Sequence, residues 1–153
     1  MRVHRADGRD DARVLATATK LAARKRRGIH VLVTITVPNA LPIDASMPDQ
    51  EAAAQSVIEQ ARLQGGRRVT GHSERVRAGQ AGRRIIEEAK DMRAAAVVLP
   101  LPARTDGTSL FGKTLETVLA ERPCRVIIES PPAPFHERAR RRRSPVHRAR
   151  TRA

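Results

Sequence analysis

The chain has 153 residues, a length that suits one domain able to bury its own core. Its formal net charge is +14, yet it has two Phe and neither Tyr nor Trp, so base stacking is excluded and only phosphate attraction is left for nucleic acid. A lone cysteine, Cys124, excludes an internal disulfide, and no apolar run reaches the ~18 residues of a membrane span; a cytoplasmic protein without membrane insertion is expected.

The N-terminus, MRVHRADGRDD, has no apolar core of the kind a secretory signal needs. Any first strand must come from MRVHRAD, where His4 and Arg5 stand in positions a central strand fills with apolar residues. Residues 10–27 carry Val14, Leu15, Ala18, Leu21 and Ala22 at helical spacing. Acids open that segment, bases close it, and Gly28 is expected to stop it. IHVLVTITV, residues 29–37, is β-branched and almost continuously apolar, which predicts a buried strand. A loop punctuated by Pro38, Pro42 and Pro48 follows. Ser46 is the expected cap of a second helix ending at Gly65-Gly66.

RRVTGHSERVRA has a mixed pattern that predicts an edge strand. Gly79 leads into a third helix near 80–93, with Ile85, Ile86, Ala89 and Met92 on one face. AAVVLPL, residues 95–101, predicts a second buried strand. A loop over 102–111 precedes a short helix at 112–121, and CRVIIES supplies the last strand. Strands alternating with helices predict a parallel, doubly wound α/β sheet with helices on both faces, Rossmann-like in style. From Pro134 to Ala153 the chain holds eight arginines against one acid, Glu137, or +7 of the total charge. Such a block cannot bury enough apolar surface to offset its ordering entropy, so residues 1–131 are expected to form the domain and 132–153 a disordered tail.

The stretch GTSLFGKT, Gly107 to Thr114, spells a Walker A phosphate loop. A true loop of that kind follows its strand directly, whereas Pro102 to Asp106 intervene here. Leu110 and Phe111 are bulky for a loop that must hug a phosphate, and RVIIES offers Glu129 where a Walker B aspartate would be sought. What survives is a glycine at a helix start, followed by the cation of Lys113 and the hydroxyl of Thr114, a pattern that attracts anions.

Leu110 to Ser130, LFGKTLETVLAERPCRVIIES, resembles the C-terminal end of a universal stress protein domain. There a glycine turn opens the last helix and a Pro-Cys pair leads into the final apolar strand. Gly112, Pro123-Cys124 and Val126-Ile127-Ile128 fall in those places. LPIDASMPD and the second helix resemble the stress-protein-like domains associated with bacterial amino-acid permeases, and Asp7-Gly8 resembles the family's Asp-Gly after its first strand. The resemblance spans roughly residues 3–130. It implies a five-stranded sheet of order 3-2-1-4-5, counting the N-terminal strand first. It also implies a crevice for ATP or another nucleotide, bordered by Asp7, Gly8, Val37, Gly107, Gly112, Lys113 and Thr114, and a homodimer through the last strand, Arg125 to Glu129. Two departures weaken the pocket. Nucleotide-binding members have two glycines three residues apart after the fourth strand, where this chain has LPLPARTDG with Pro100 and Pro102. The Ser or Thr after the helix-opening glycine is replaced by Lys113, and Thr114 comes one place later.

Other residues carry weaker signals. Cys124, at a strand start with no partner cysteine, is expected to pack rather than react. The five histidines show no His-x-x-x-His spacing, so no metal centre is expected. Glu87-Glu88 is expected on a solvated helix face, and His72, Ser73 and Glu74 cannot make a triad because adjacent strand residues face opposite ways. No nucleophile–base pair stands out, so the expected function is non-enzymatic stress response or regulation. The alternatives are an accessory domain of an amino-acid transporter, and a nucleic-acid-associated protein acting through the arginine tail.

Overall fold

The computed structural model describes residues 8–101 and 111–130, with side chains from Ala12 onward. The chain runs α1 (Gly8–Lys25), β1 (Ile29–Val37), α2 (Pro48–Gly65), β2 (Val69–Arg77), α3 (Ala81–Asp91), β3 (Ala96–Pro100), α4 (Gly112–Glu121) and β4 (Arg125–Glu129). A short 3-10 turn over Gly66–Arg68 precedes β2. The segments expected as a first strand and as a disordered tail lie outside the described residues.

The strands form two parallel pairs, β1 with β2 and β3 with β4. These are the pairings that an order of 3-2-1-4-5 requires at its two ends. The strand that would join them falls in residues 1–7, outside the described residues, so the five-stranded order goes beyond what is seen. The apolar layers nevertheless cross from one pair to the other. On one face, α1 and α2 bring Val14, Leu15, Ala18, Ala54 and Ile58 against Val31, Val33 and Ile35 of β1 and Val98 of β3. On the opposite face, α3 and α4 bring Ile85, Ile86, Leu115 and Val118 against Leu32 of β1 and Val97 and Leu99 of β3. Alternation along each strand divides its side chains between these layers, which is why β1 and β3 read as continuous apolar runs.

Several local expectations change. α1 is closed by Arg26, not Gly28. Arg26 takes a left-handed φ of 50°, while Arg27 N–H bonds to Ala22 O at 3.0 Å and Arg26 N–H to Ala23 O at 3.3 Å. That pair of bonds is a Schellman closure. Ser46 does not cap α2. Met47 occupies the cap position without a side-chain bond, and Pro48 starts the first turn. Glu51, one residue beyond the position a capping box would use, accepts the Met47 N–H through Oε1 at 3.4 Å and so satisfies one free donor of the helix start. Met92 is 48% exposed because α3 ends at Asp91 and Met92 is only its cap. β2, by contrast, has the mixed burial of an edge strand.

Pro100 fits inside β3 for a reason the ladder supplies. Leu101 N–H donates to Glu129 O at 2.7 Å, and Pro100 is the register partner of Glu129. In a parallel ladder the residue between successive bonds turns its own N–H to the opposite side. The missing donor of Pro100 therefore costs the β3–β4 ladder nothing.

Candidate functional site

In an open α/β sheet, ligands bind beyond the C-terminal strand ends. At that end of β1, Val37 is fully buried and pairs with Arg77 of β2. Arg77 Nη1 donates to Pro38 O at 2.9 Å and to Leu41 O at 2.6 Å, so its guanidinium pins the proline loop that leaves β1. Beside it, Ile35, Ile43, Asp44, Glu51, Gln55 and Arg75 line an open groove of about 810 Å³. Arg75 is paired with Glu51 in that groove, and this hydrogen bond, aided by the Met47 N–H, holds the exposed Glu51 carboxyl below its usual range.

α4 begins at Gly112, whose φ of 66° lies in the left-handed region. That conformation is open to glycine at little cost and turns the chain into the helix. Lys113 and Thr114 occupy the first turn. The Lys113 side chain runs back over the β2–α3 turn, where Gly79 leaves room for it: a β-carbon on Gly79 would lie 3.0 Å from Lys113 Nζ. Thr114 packs its backbone against α3, with its carbonyl oxygen 2.9 Å from where a β-carbon on Gly82 would stand. Lys113 and Thr117 thus line a groove between α3 and α4 together with Gln80, Arg83 and Lys90. Gly8 is the first residue of α1 rather than the end of a strand. Asp7 and Gly107 lie outside the described residues; of the rest, Gly112, Lys113 and Thr114 simply follow one another at the start of α4, and Val37 lines neither groove. Glu129, the acid weighed as a Walker B stand-in, accepts a hydrogen bond from Thr17 Oγ1 at 2.8 Å and ties β4 to α1.

A second polar cluster escaped sequence reasoning. His30 of β1, Thr70, His72 and Glu74 of β2, and Arg84 and Glu88 of α3 meet between the sheet and α3. His30 Nδ1 lies 2.9 Å from Thr70 Oγ1, and the two imidazoles are 5.2 Å apart. His30 Nε2 is buried without a well-directed hydrogen bond; Glu88 Oε1 lies 3.0 Å away but off the ring N–H direction. Arg84 bridges Glu74 and Glu88, donating to Glu88 Oε2 at 2.6 Å. Burial works against the Arg84 charge, but the two carboxylates outweigh it and raise its pKa. Glu88 is thus far from the solvated residue expected, with a side chain only 15% exposed, while Glu87 does sit exposed beside Arg83. The signal lay in strand register, which pairs His30 with Thr70 and Leu32 with His72, not in any linear histidine spacing.

Cys124 is half-buried against the α3–α4 layer, and desolvation pushes its thiol pKa up, so it packs as a small apolar group. No helix among the described residues is long and apolar enough to cross a membrane.

No curated protein matches this sequence. Among solved structures, a universal stress protein from Archaeoglobus fulgidus superposes with a TM-score of 0.62 at 21% identity, over 83% of this chain and 93% of that one. A protein from the universal stress protein family from Burkholderia pseudomallei superposes with a TM-score of 0.57 at 18% identity, over 84% of this chain and 92% of that one. At such identities the likeness establishes the α/β fold. The family assignment rests on sequence: the model of the universal stress protein family matches residues 6–128, from before α1 to within β4. The glycine turn into α4 and the Pro-Cys entry to β4 fall within that match, and the chain belongs to the universal stress protein family.

Proposed function

We propose that this family member is a non-enzymatic regulatory or stress-response protein of the cytoplasm that binds a phosphate-bearing ligand weakly where α4 begins. The observation that carries this reading is the left-handed turn at Gly112, which starts α4 with Lys113 and Thr114 in its first turn; helix starts of this kind attract anions, and such folds take ligands beyond the C-terminal strand ends. Low affinity follows from Pro100, which cannot lend an N–H to a phosphate, and from Lys113, whose side chain rests over Gly79 and must swing to reach an anion. Hydrolysis would need a positioned water and a metal held by acids. The acid in reach of the last strand, Glu129, is already engaged by Thr17.

Calorimetric titration with ATP on the wild type and on Lys113→Ala tests this. A real charge-assisted contact is worth about 1.5–3 kcal/mol, so the variant should bind more than tenfold more weakly, with no turnover in either protein. Equal affinity would reduce the Gly-Lys-Thr stretch to a turn, and rapid ATP hydrolysis lost in Lys113→Ala would establish a phosphate-loop hydrolase instead.

A further inference from the structure

We propose that His30, His72 and Glu88 form a binding site for one zinc ion, at the end of the sheet opposite the Gly112 turn. His30 is the second residue of β1 and Val37 the last, so at about 3.3 Å per residue the two ends are roughly 23 Å apart. The site is therefore separate from the phosphate pocket proposed above.

The argument starts from placement. Parallel register sets His72 opposite Leu32, two residues beyond His30. Both imidazoles therefore project from the face that α3 covers. α3 supplies Glu88 from that side, and ligand atoms of His30, His72 and Glu88 all lie within 4.8 Å of one another. Four-coordinate zinc with bonds of 2.0–2.1 Å holds its ligands about 3.3 Å apart, so modest side-chain rotation closes the set. Two imidazoles and one carboxylate suit zinc-class ions rather than magnesium or calcium, and three protein ligands leave a fourth position for water.

The supporting shell is already in place. Thr70 Oγ1 engages His30 Nδ1 at 2.9 Å, which fixes the ring and leaves Nε2 to the cluster. Arg84 holds Glu88 Oε2 at 2.6 Å and leaves Oε1 pointing inward. Glu74 Oε2 stands 3.8 Å from His72 Nε2, within a small rotation of orienting that ring. Such outer partners are what fix the orientation of metal-bound histidines. The buried Nε2 of His30 faces Glu88 Oε1 at 3.0 Å without a well-directed hydrogen bond, an approach of two ligand atoms that a cation between them would satisfy. An ordinary His–Glu ion pair would explain His30 and Glu88, but not the second imidazole or the misdirected Nε2.

The test uses the full chain without an affinity tag. Zinc chloride is titrated calorimetrically, and cobalt(II) serves as a spectroscopic probe of coordination. Wild type should take up one zinc per chain, and its cobalt form should show the intense visible bands of a four-coordinate ion. His72→Ala at an exposed position and the near-isosteric Glu88→Gln should each weaken zinc binding at least ~100-fold, beyond the 10–100-fold typical of outer-shell changes. Unaltered circular dichroism would show that both variants fold. The double change His136→Ala, His147→Ala should leave affinity and stoichiometry unchanged. Failure of the wild type to bind zinc, binding that survives both His72→Ala and Glu88→Gln, or binding lost with the two tail histidines would each overturn the proposal.

Discussion

Lys113 lies across Gly79, so that the turn into α3 and the first turn of α4 touch through one side chain. Gly79 has a φ of 80°, which an alanine enters only with strain. Gly79→Ala should therefore cost about 1–2 kcal/mol of stability, lowering the thermal midpoint by several degrees. The Lys113 tip can move aside, so the loss should track the backbone and not the contact. Lys113→Ala in the same assay should be close to neutral, and an equal loss in both variants would show that the contact dominates.

Gly82 is a tighter constraint. A β-carbon there would meet Thr117 Cβ at 2.8 Å and Thr114 O at 2.9 Å. One of these is backbone and the other a branched carbon, so neither yields easily. Gly82→Ala should force α3 and α4 apart at a cost of about 1–3 kcal/mol. Because Thr114 belongs to the first turn of α4, the same change should weaken phosphate-ligand binding, whereas Ala120→Gly at the far end of α4 should lower stability alone. Denaturant midpoints with parallel ATP titrations separate the two effects.

The helices and strands were legible because their signals are local. Val31, Val33 and Ile35 face one layer and Leu32 the other, and that division appears in the sequence as an unbroken β-branched run. The span of α4, 112–121, was legible, but the left-handed residues that close α1, α3 and α4 were not. Each helix ends at an arginine, Arg26, Arg93 or Arg122, with a φ of 50°, 47° and 43°. Sequence rules look for glycine there, and hydrogen bonds fix the turn whichever residue occupies it. The His30–His72–Glu88 cluster was hidden for another reason. Its members lie on three elements and are joined by register and helix packing, which leave no fixed spacing along the chain. Of the residues expected at the pocket, Gly8, Val37, Gly112, Lys113 and Thr114 fall within the described residues, Gly8 in a helix and not at a strand end. The direction of the Lys113 side chain was not foreseeable, since it depends on the gap left by Gly79.

The arginine closures give a stabilising prediction. Arg93 N–H bonds to Lys90 O at 3.0 Å and Ala94 N–H to Ala89 O at 2.9 Å, so the turn is set whatever side chain Arg93 carries. Left-handed backbone costs a non-glycine residue roughly 1–2 kcal/mol, and glycine's extra unfolded-state freedom returns part of that. Arg93→Gly should raise stability by about 0.5–1 kcal/mol in denaturant melts. A loss would mean that the Arg93 side chain contributes more than its backbone strain removes.

Stability should also depend on pH through His30. Burial lowers its pKa from 6.5, against the opposing pull of Glu88, while Thr70, His72 and Glu74 of β2 and Arg84 of α3 complete its surroundings. The unfolded chain then binds the proton more readily than the folded one, so unfolding free energy rises with pH in this window. The contribution is fully present above about pH 6.5 and is lost as the pH falls below it. Melts from pH 7.5 to 5 with chelator present should show this decline, and His30→Gln should flatten it. A decline unchanged in His30→Gln would assign the titration to another group.

The last prediction concerns assembly. β4 pairs with β3 on one side, and among the described residues no strand pairs with its other side. Glu129 O accepts the Leu101 N–H, so alternation turns Arg125, Ile127 and Glu129 toward β3 and aims the N–H groups of Val126 and Ile128 at the open edge. Val126, Ile127 and Ile128 are all only half-buried in the single chain. An apolar edge with outward donors invites another strand, and a two-fold contact between two copies of β4 closes without leaving new edges. The protein should accordingly run as a dimer in light scattering. Val126→Pro removes an outward donor without breaking a β3–β4 bond, so it should give a folded monomer. Ile127→Pro removes a donor directed at β3 and should destabilise the chain itself. A wild type that is already monomeric, or a Val126→Pro variant that stays dimeric, would rule out assembly through this edge.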